Sequence, residues 1–323
     1  HKARREAEAA AAIEGAAASA PGADRGFGQM MGSKLRPLSS ILDTVGRTPV
    51  VQLKKANPFP NVNIFVKLEA FNPMGSVKDR LAVGVIDWAE KNGQLKPGQT
   101  VVEATSGNTG IGLAMVCAEK GYPFVCVMPE SNSVERRKLM RFLGAKVVLT
   151  PAHLKTTGCT NKAKELSDAH GWFNTLQFQN EANAHIHEVT TGAEIVECFQ
   201  DTKLDYVVLS YGTGGTLKGV GKCLKEKLPD TKLVLVEPDN APLVLSKVEQ
   251  SYNEDGSFKE PHPFWRPHVI QGWTPDFIPK LAHDALAAGY VHATHPVGGF
   301  AAMQCSKDLA TKEGIFTGIS GGG

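Results

Sequence analysis

An α/β protein with two open, doubly wound and mostly parallel sheets is the fold this sequence predicts, and three observations predict it. Strand-like and helix-like stretches alternate from residue 38 onward, the sequence form of βαβ units. The 323 residues exceed the roughly 100–200 of a typical single domain, so two lobes with their own cores are expected. Three segments rich in Gly, Ser and Thr fall where strands end, which is where open α/β sheets bind ligands.

The elements follow in order. Residues 49–53 and 63–68 read as strands; in the second, Val62, Ile64, Val66 and Leu68 alternate as on a half-buried strand. Residues 76–91 read as a helix, because Val77, Leu81, Val85 and Trp88 lie three and four apart and share one face. Gly93, Pro97 and Gly98 end it. Strands over 100–104, 124–128 and 146–149 then alternate with helices over 108–120, 134–143 and 161–170. A second series has helices at 187–199, 216–228 and 299–311 and strands at 206–209, 233–236 and 315–319. Residues 239–296, rich in Pro, His and Trp, read as a long irregular excursion of the kind that covers sites.

Composition excludes several classes. Lys plus Arg number 35 against 33 Asp plus Glu, a net charge of +2, so nothing advertises nucleic acid or an anionic membrane. No apolar run approaches the about 20 residues of a membrane span. The cysteines at 117, 126, 159, 198, 223 and 305 form no CxxC and sit mostly in apolar runs, the pattern of reduced, buried thiols in a reducing compartment. His185 and His187 are two apart, which separates them on a helix, and there is no HExxH, so no metal is expected. Residues 1–33, basic and then Ala-rich without an initial Met, fit a processed targeting remnant or a helical arm that packs on a partner. Cytoplasm, plastid and mitochondrion all stay open as compartments.

Four features carry chemistry. In Asn72-Pro-Met-Gly-Ser-Val-Lys-Asp-Arg80, Lys78 stands in the first turn of a helix, beside the positive end of the dipole. A cation is disfavoured there unless its proton is meant to leave easily, and a neutral amine is what condenses with a carbonyl. In Thr105-Ser-Gly-Asn-Thr-Gly110, hydroxyls and helix-start amides converge as an anion loop, suited to a small carboxylate. Gly212-Thr-Gly-Gly-Thr216 follows a strand and opens a helix as a nest for one phosphate; it lacks the Gly-Lys-Ser/Thr of a nucleotide loop and the dinucleotide GxGxxG spacing. Ser320, in Gly318-Ile-Ser-Gly-Gly-Gly323, offers a lone hydroxyl at a sheet end. A condensing lysine, a phosphate nest, an anion loop and a hydroxyl together point to pyridoxal 5'-phosphate with an amino-acid substrate.

With Pro129-Glu-Ser-Asn-Ser-Val-Glu-Arg-Arg-Lys-Leu139 added to these motifs, the chain from about residue 38 to its end resembles the O-acetylserine sulfhydrylase (cysteine synthase) family. These are fold-type II pyridoxal-phosphate enzymes of the tryptophan synthase β-like fold. The resemblance implies that Lys78 is the Schiff-base lysine and that Asn108 bonds the cofactor's 3' oxygen. By the same likeness Gly212, Thr213, Gly214, Gly215 and Thr216 form the phosphate cup, and Ser320 partners the pyridine nitrogen. Thr105, Ser106, Gly107, Thr109, Gln177 and Gly272 would contact substrate. It implies an arm at 1–37, a crossing segment at 38–71, a small mobile lobe at 72–181 and a large lobe at 182–323, with a further helix beyond. The implied reaction replaces the acetoxy group of O-acetyl-L-serine by sulfide, giving L-cysteine and acetate in a homodimer whose cleft also accepts the C-terminal tail of serine acetyltransferase. The alternatives are cystathionine β-synthase-like, O-phosphoserine-using or cyanoalanine-forming chemistry, or a non-catalytic scaffold. Departures from the family pattern lie at Gly272-Trp-Thr-Pro-Asp-Phe-Ile-Pro279, at His153-Leu-Lys-Thr-Thr-Gly158 and at Gly321, and they bear on donor and nucleophile.

Overall fold

Each sheet of this computed structural model, which describes residues 37–105 and 107–323, grows from the alternation just read. The expected arm at 1–37 lies outside the described residues except for its last position, and Ser106 lies outside them as well. A short antiparallel pair, β1 (Val50–Gln52) and β2 (Phe65–Lys67), comes first. Then follow α1 (Lys78–Lys91), β3 (Val101–Ala104), α2 (Asn108–Lys120), β4 (Phe124–Pro129), α3 (Val134–Phe142), β5 (Lys146–Thr150), α4 (Lys155–His170) and β6 (Phe173–Asn174). Their strands pair in parallel in the order β5-β4-β3-β6. After α5 (Glu181–Ile186), a π turn (His187–Gly192) and α6 (Ala193–Cys198) come β7 (Tyr206–Ser210), α7 (Gly215–Lys227), β8 (Lys232–Pro238), α8 (Lys280–Ala287) and β9 (Val291–Val297). These strands make the second parallel sheet, β7-β8-β9. The chain ends through α9 (Gly299–Asp308) and the single turn α10 (Ile319–Gly322).

Both sheets bury apolar faces, which is why helices must cover them. Ile86, Val101, Leu113, Val116, Met128 and Met140 make one core around β3 and β4. Tyr211, Leu217, Leu224, Leu235, Leu243 and Ala282 make another around β7 and β8. Each fully buried aliphatic side chain contributes about 1.5–3 kcal/mol. Residues 40–323 form one compact unit. No helix among the described residues is long and apolar enough to cross a membrane. All six cysteines are unpaired, four of them buried and Cys198 and Cys305 exposed.

Four expectations are corrected. Residues 315–319 do not form a strand: the Ser306 hydroxyl donates to the Thr317 carbonyl at 2.9 Å, Ile315 N bonds back to Leu309 O, and Ile319 already starts α10. The excursion at 239–296 contains α8 and β9. That strand reads Val-His-Ala-Thr-His-Pro-Val, and its proline is tolerated because β9 is an edge strand. The helix expected at 187 starts at Glu181, because Asn180 caps it by accepting from Ala182 N at 3.0 Å. The helix expected at 161 starts at Lys155.

Candidate active site

The turn before α1 is held rigidly. Asp79 Oδ2 accepts from Met74 N at 2.7 Å, and Ser76 Oγ accepts from Lys78 N at 3.2 Å. Two residues on, Arg80 is only 1% exposed. Its Nε and Nη2 donate to Glu69 at 2.8 and 2.9 Å, and its Nη1 and Nη2 to Glu194 at 2.6 and 2.8 Å. Lys67 also reaches Glu194, at 2.6 Å. A buried guanidinium is tolerable only when its charge and donors are matched in this way, and the match ties β2, α1 and α6 together. Burial raises the Asp79 carboxyl to about 6.

Lys78 therefore projects from a fixed base. Its Nζ lies 3.4 Å from Thr213 Oγ1, and desolvation lowers its pKa to about 8. A free-amine population near neutrality is what a condensing lysine needs.

Thr213 belongs to the glycine segment that runs into α7. Gly212 packs on the carbonyl of Gly272 so closely that a Cβ there would sit 2.3 Å from the oxygen. At Gly214, φ is +87° and a Cβ would meet Ala282 N at 2.3 Å. Only glycine permits that backbone. The result is a concave stretch of amides at the start of a 13-residue helix, where an anion is favoured. Apart from Lys78, the side chains bonded to it are neutral. Asn183 Nδ2 donates to Thr213 Oγ1 at 3.0 Å, and His187 Nε2 lies 3.2 Å from Thr216 Oγ1 while its Nδ1 lies 2.8 Å from Thr191 Oγ1. Burial, reinforced by the charges of Lys78 and Arg80, holds the imidazole well below its usual pKa. An amine with a lowered pKa beside a cradle that a Cβ would fill fits a phosphorylated aldehyde.

At the start of α2, Thr105 and Thr109 are buried and Asn108 is exposed. Thr105 Oγ1 accepts from Gly107 N at 3.4 Å. Thr109 Oγ1 donates to Gln177 Oε1 at 2.8 Å, and Gln177 Nε2 donates to Ala104 O at 2.8 Å and to Glu103 Oε1 at 3.4 Å. Both ends of the Gln177 amide are thus engaged by the chain. Asn183 Nδ2 also donates to Gln177 O at 2.8 Å, so one run of bonds links Thr109, Gln177, Asn183, Thr213 and Lys78. The Arg136 guanidinium lies over Gly107 and donates to Gln271 Oε1 at 3.1 Å, next to Gly272.

Ser320 is exposed on α10 and, among the described residues, hydrogen-bonds to none of the other candidates. Its turn meets the 272–279 segment where Gly323 packs on the Trp273 ring. Two of the sequence departures also meet, since the charge of Lys155 acts on the buried Asp276 carboxyl; Lys155 Nζ also lies 4.8 Å from the Trp265 ring centroid. Sequence reasoning missed Asn183, Glu103 and His187 as parts of the site. The spacing of His187 and Thr191, one helical turn apart, was the only local signal.

Two parallel sheets with a lysine opposite a glycine cup define a class, and comparison with known proteins makes it specific. The family of pyridoxal-phosphate dependent enzymes matches residues 41–323, and the chain belongs to it; its cofactor is pyridoxal 5'-phosphate. Within that family the chain is similar to the O-ureido-L-serine synthase of Streptomyces lavendulae, 45% identical over 284 residues, covering 88% of this chain and 81% of that protein. It is also similar to the cysteine synthase of Staphylococcus aureus, 43% identical over 287 residues, covering 89% and 86%. A solved structure of O-ureido-L-serine synthase superposes with a TM-score of 0.80 at 45% identity, covering 89% of this chain and 84% of the other.

Proposed function

We propose that this chain is a cysteine synthase, replacing the acetoxy group of O-acetyl-L-serine by sulfide to give L-cysteine and acetate. The observation that carries the reading is Lys78, with its lowered pKa, 3.4 Å from Thr213 of the glycine cup and linked through Asn183 and Gln177 to the anion loop. When bound, pyridoxal phosphate withdraws electrons from the substrate's α-carbon and so weakens its C–H bond.

The protein's own groups do the rest. Gly212, Thr213, Gly214, Gly215 and Thr216 would hold the phosphate, Lys78 the aldehyde carbon, Asn108 the ring oxygen and Ser320 the ring nitrogen. Thr105, Ser106, Gly107 and Thr109 would take the substrate carboxylate, with Gln177 bracing Thr109 and Gly272 closing the opposite wall. Lys78 as a free amine takes the α-proton, acetate departs with the β C–O electron pair, sulfide forms the new β C–S bond, and the Lys78 ammonium returns the proton to the α-carbon. Movement of a small lobe, residues 72–181, against 182–323 and the crossing segment would exclude water once the carboxylate is bound. A homodimer and docking of a serine acetyltransferase tail in the cleft belong to the same proposal.

A second reading has a specific observation behind it. The likeness to O-ureido-L-serine synthase, together with Trp273 and Asp276 in the segment beside the cup, favours a nucleophile other than sulfide. One experiment separates the two. Purified holoenzyme receives O-acetyl-L-serine and then sulfide, and the cofactor's visible band is followed together with the products. A band that changes with the donor and returns with sulfide, with cysteine and acetate formed one to one, supports cysteine synthase. A band that changes with the donor and returns only with an N–O nucleophile such as hydroxyurea supports the second reading.

A further inference from the structure

Among the buried acids that this mechanism leaves without a part, Glu103 lies nearest to the anion loop. Glu103 stands in the middle of β3, flanked by Val101, Val102 and Ala104, and is 2% exposed; such core strands of parallel sheets are ordinarily apolar throughout. Its Oε2 accepts a short hydrogen bond from Thr175 Oγ1 and another from Gln177 N at 3.1 Å, and its Oε1 faces Gln177 Nε2 at 3.4 Å. Gln177 Nε2 donates to Ala104 O as well, at 2.8 Å. With two acceptors facing the amide nitrogen, the amide cannot turn over without setting oxygen against oxygen. Gln177 Oε1 is thereby committed to the Thr109 hydroxyl at 2.8 Å.

We propose that Glu103 is a positioning residue for substrate binding: its carboxylate orients the Gln177 amide, which fixes Thr109 and with it the loop that receives the substrate carboxylate. This rests on the assignment of residues 105–109 to substrate made above.

A dependence on pH follows. Desolvation pushes the Glu103 carboxyl up to about 7, outweighing four donors that favour the ionised acid, from Thr175, Ala104 and both the backbone and side chain of Gln177. Among the described residues, the titratable groups facing it are the Cys126 thiol on β4 and, beyond that, the Cys159 thiol on α4. Burial raises both, so they stay neutral through this range. Above about pH 7 the carboxylate holds the amide. Below it, the carboxyl can give its proton to the Thr175 hydroxyl, the bonds it accepts from Gln177 lose their charge assistance, the hold loosens, and affinity for the substrate carboxylate falls.

The test uses the holoenzyme and Glu103→Gln, which keeps size and removes charge. Dissociation constants for L-methionine, an amino acid without a β leaving group, are measured by calorimetry from pH 6 to pH 8. KM and kcat for O-acetyl-L-serine are measured alongside. The ratio of variant to wild-type dissociation constants cancels the titration of the ligand's own amine. It is expected to be about five- to tenfold at pH 8 and to approach one at pH 6. KM should rise by the same factor with kcat within about twofold, and the cofactor's visible band should be unchanged. Thr175→Val, which removes a donor to Glu103, should move the inflection upward by about one pH unit. A ratio near one at every pH, or an inflection unmoved in Thr175→Val, overturns the proposal. A wild type that binds no amino acid overturns the assignment of the loop instead.

Discussion

The glycine cup and the anion loop are held by different forces. In the glycine cup the fit is steric: Gly212 lies on the Gly272 carbonyl and Gly214 on the Ala282 amide, each with no room for a methyl group. Apart from Lys78, the hydrogen-bonding partners there, Asn183 and a neutral His187, do not change charge near pH 7. The anion loop is held instead by side-chain hydrogen bonds running from Thr109 through Gln177 to Glu103, an acid poised at about 7. Steric fit ignores pH and rejects extra volume. A hydrogen-bonded brace tolerates small changes of volume and responds to protonation. The part that would grip a permanently bound cofactor is built the first way, and the part that would grip and release substrate is built the second.

Lys78 belongs to neither loop but reaches across to the cup, so its removal should exceed any change made to either. Lys78→Ala is expected to lower turnover of O-acetyl-L-serine with sulfide by at least about 1,000-fold. Steady-state product formation measures it, and turnover within tenfold of wild type would take Lys78 out of the chemistry.

The steric half of the comparison is sharpened by a pair of alanines. Gly212→Ala should cost about 1–3 kcal/mol in thermal or denaturant unfolding and reduce cofactor content. Gly107→Ala in the anion loop meets only the movable end of Arg136, at 3.4 Å, and should change stability by no more than about 0.5 kcal/mol. Equal costs at the two positions would erase the distinction.

The smallest effect concerns the rate at which apoprotein takes up pyridoxal phosphate. Because only the neutral amine attacks and the Lys78 pKa is about 8, the rate should be roughly tenfold lower at pH 7 than on its alkaline plateau. The midpoint should lie near 8. A midpoint near 10 would mean that the lysine is not desolvated in solution. The same lowered pKa has a sign for stability. The folded apoprotein binds fewer protons at this group than the unfolded chain, so its contribution to stability grows as pH rises from about 8 toward 10.5 and is lost as pH falls through about 8.

Motif residues were legible one by one because each carries its own chemistry: a lysine inside a helix start, glycines after a strand, hydroxyls before a helix. Partnerships were not. The sequence motif names Gln177 but not its partners, Thr109, Ala104 and Glu103. Glu103 itself passed unread within a strand whose other residues are apolar. The strand expected before Ser320 does not form, since Ser306 captures the Thr317 carbonyl that a strand partner would have used.

By itself the sequence determined the βαβ alternation, two parallel sheets, the position of Lys78 and the class of cofactor, because periodicity, turn chemistry and helix starts are local properties of the chain. Only the tertiary structure decided which groups touch and in what ionisation state. Thr213 stands 135 residues from Lys78, and Gln177 stands 68 from Thr109. Burial, which sets Lys78 at about 8 and Glu103 at about 7, is a property of what packs around a residue rather than of its neighbours in sequence.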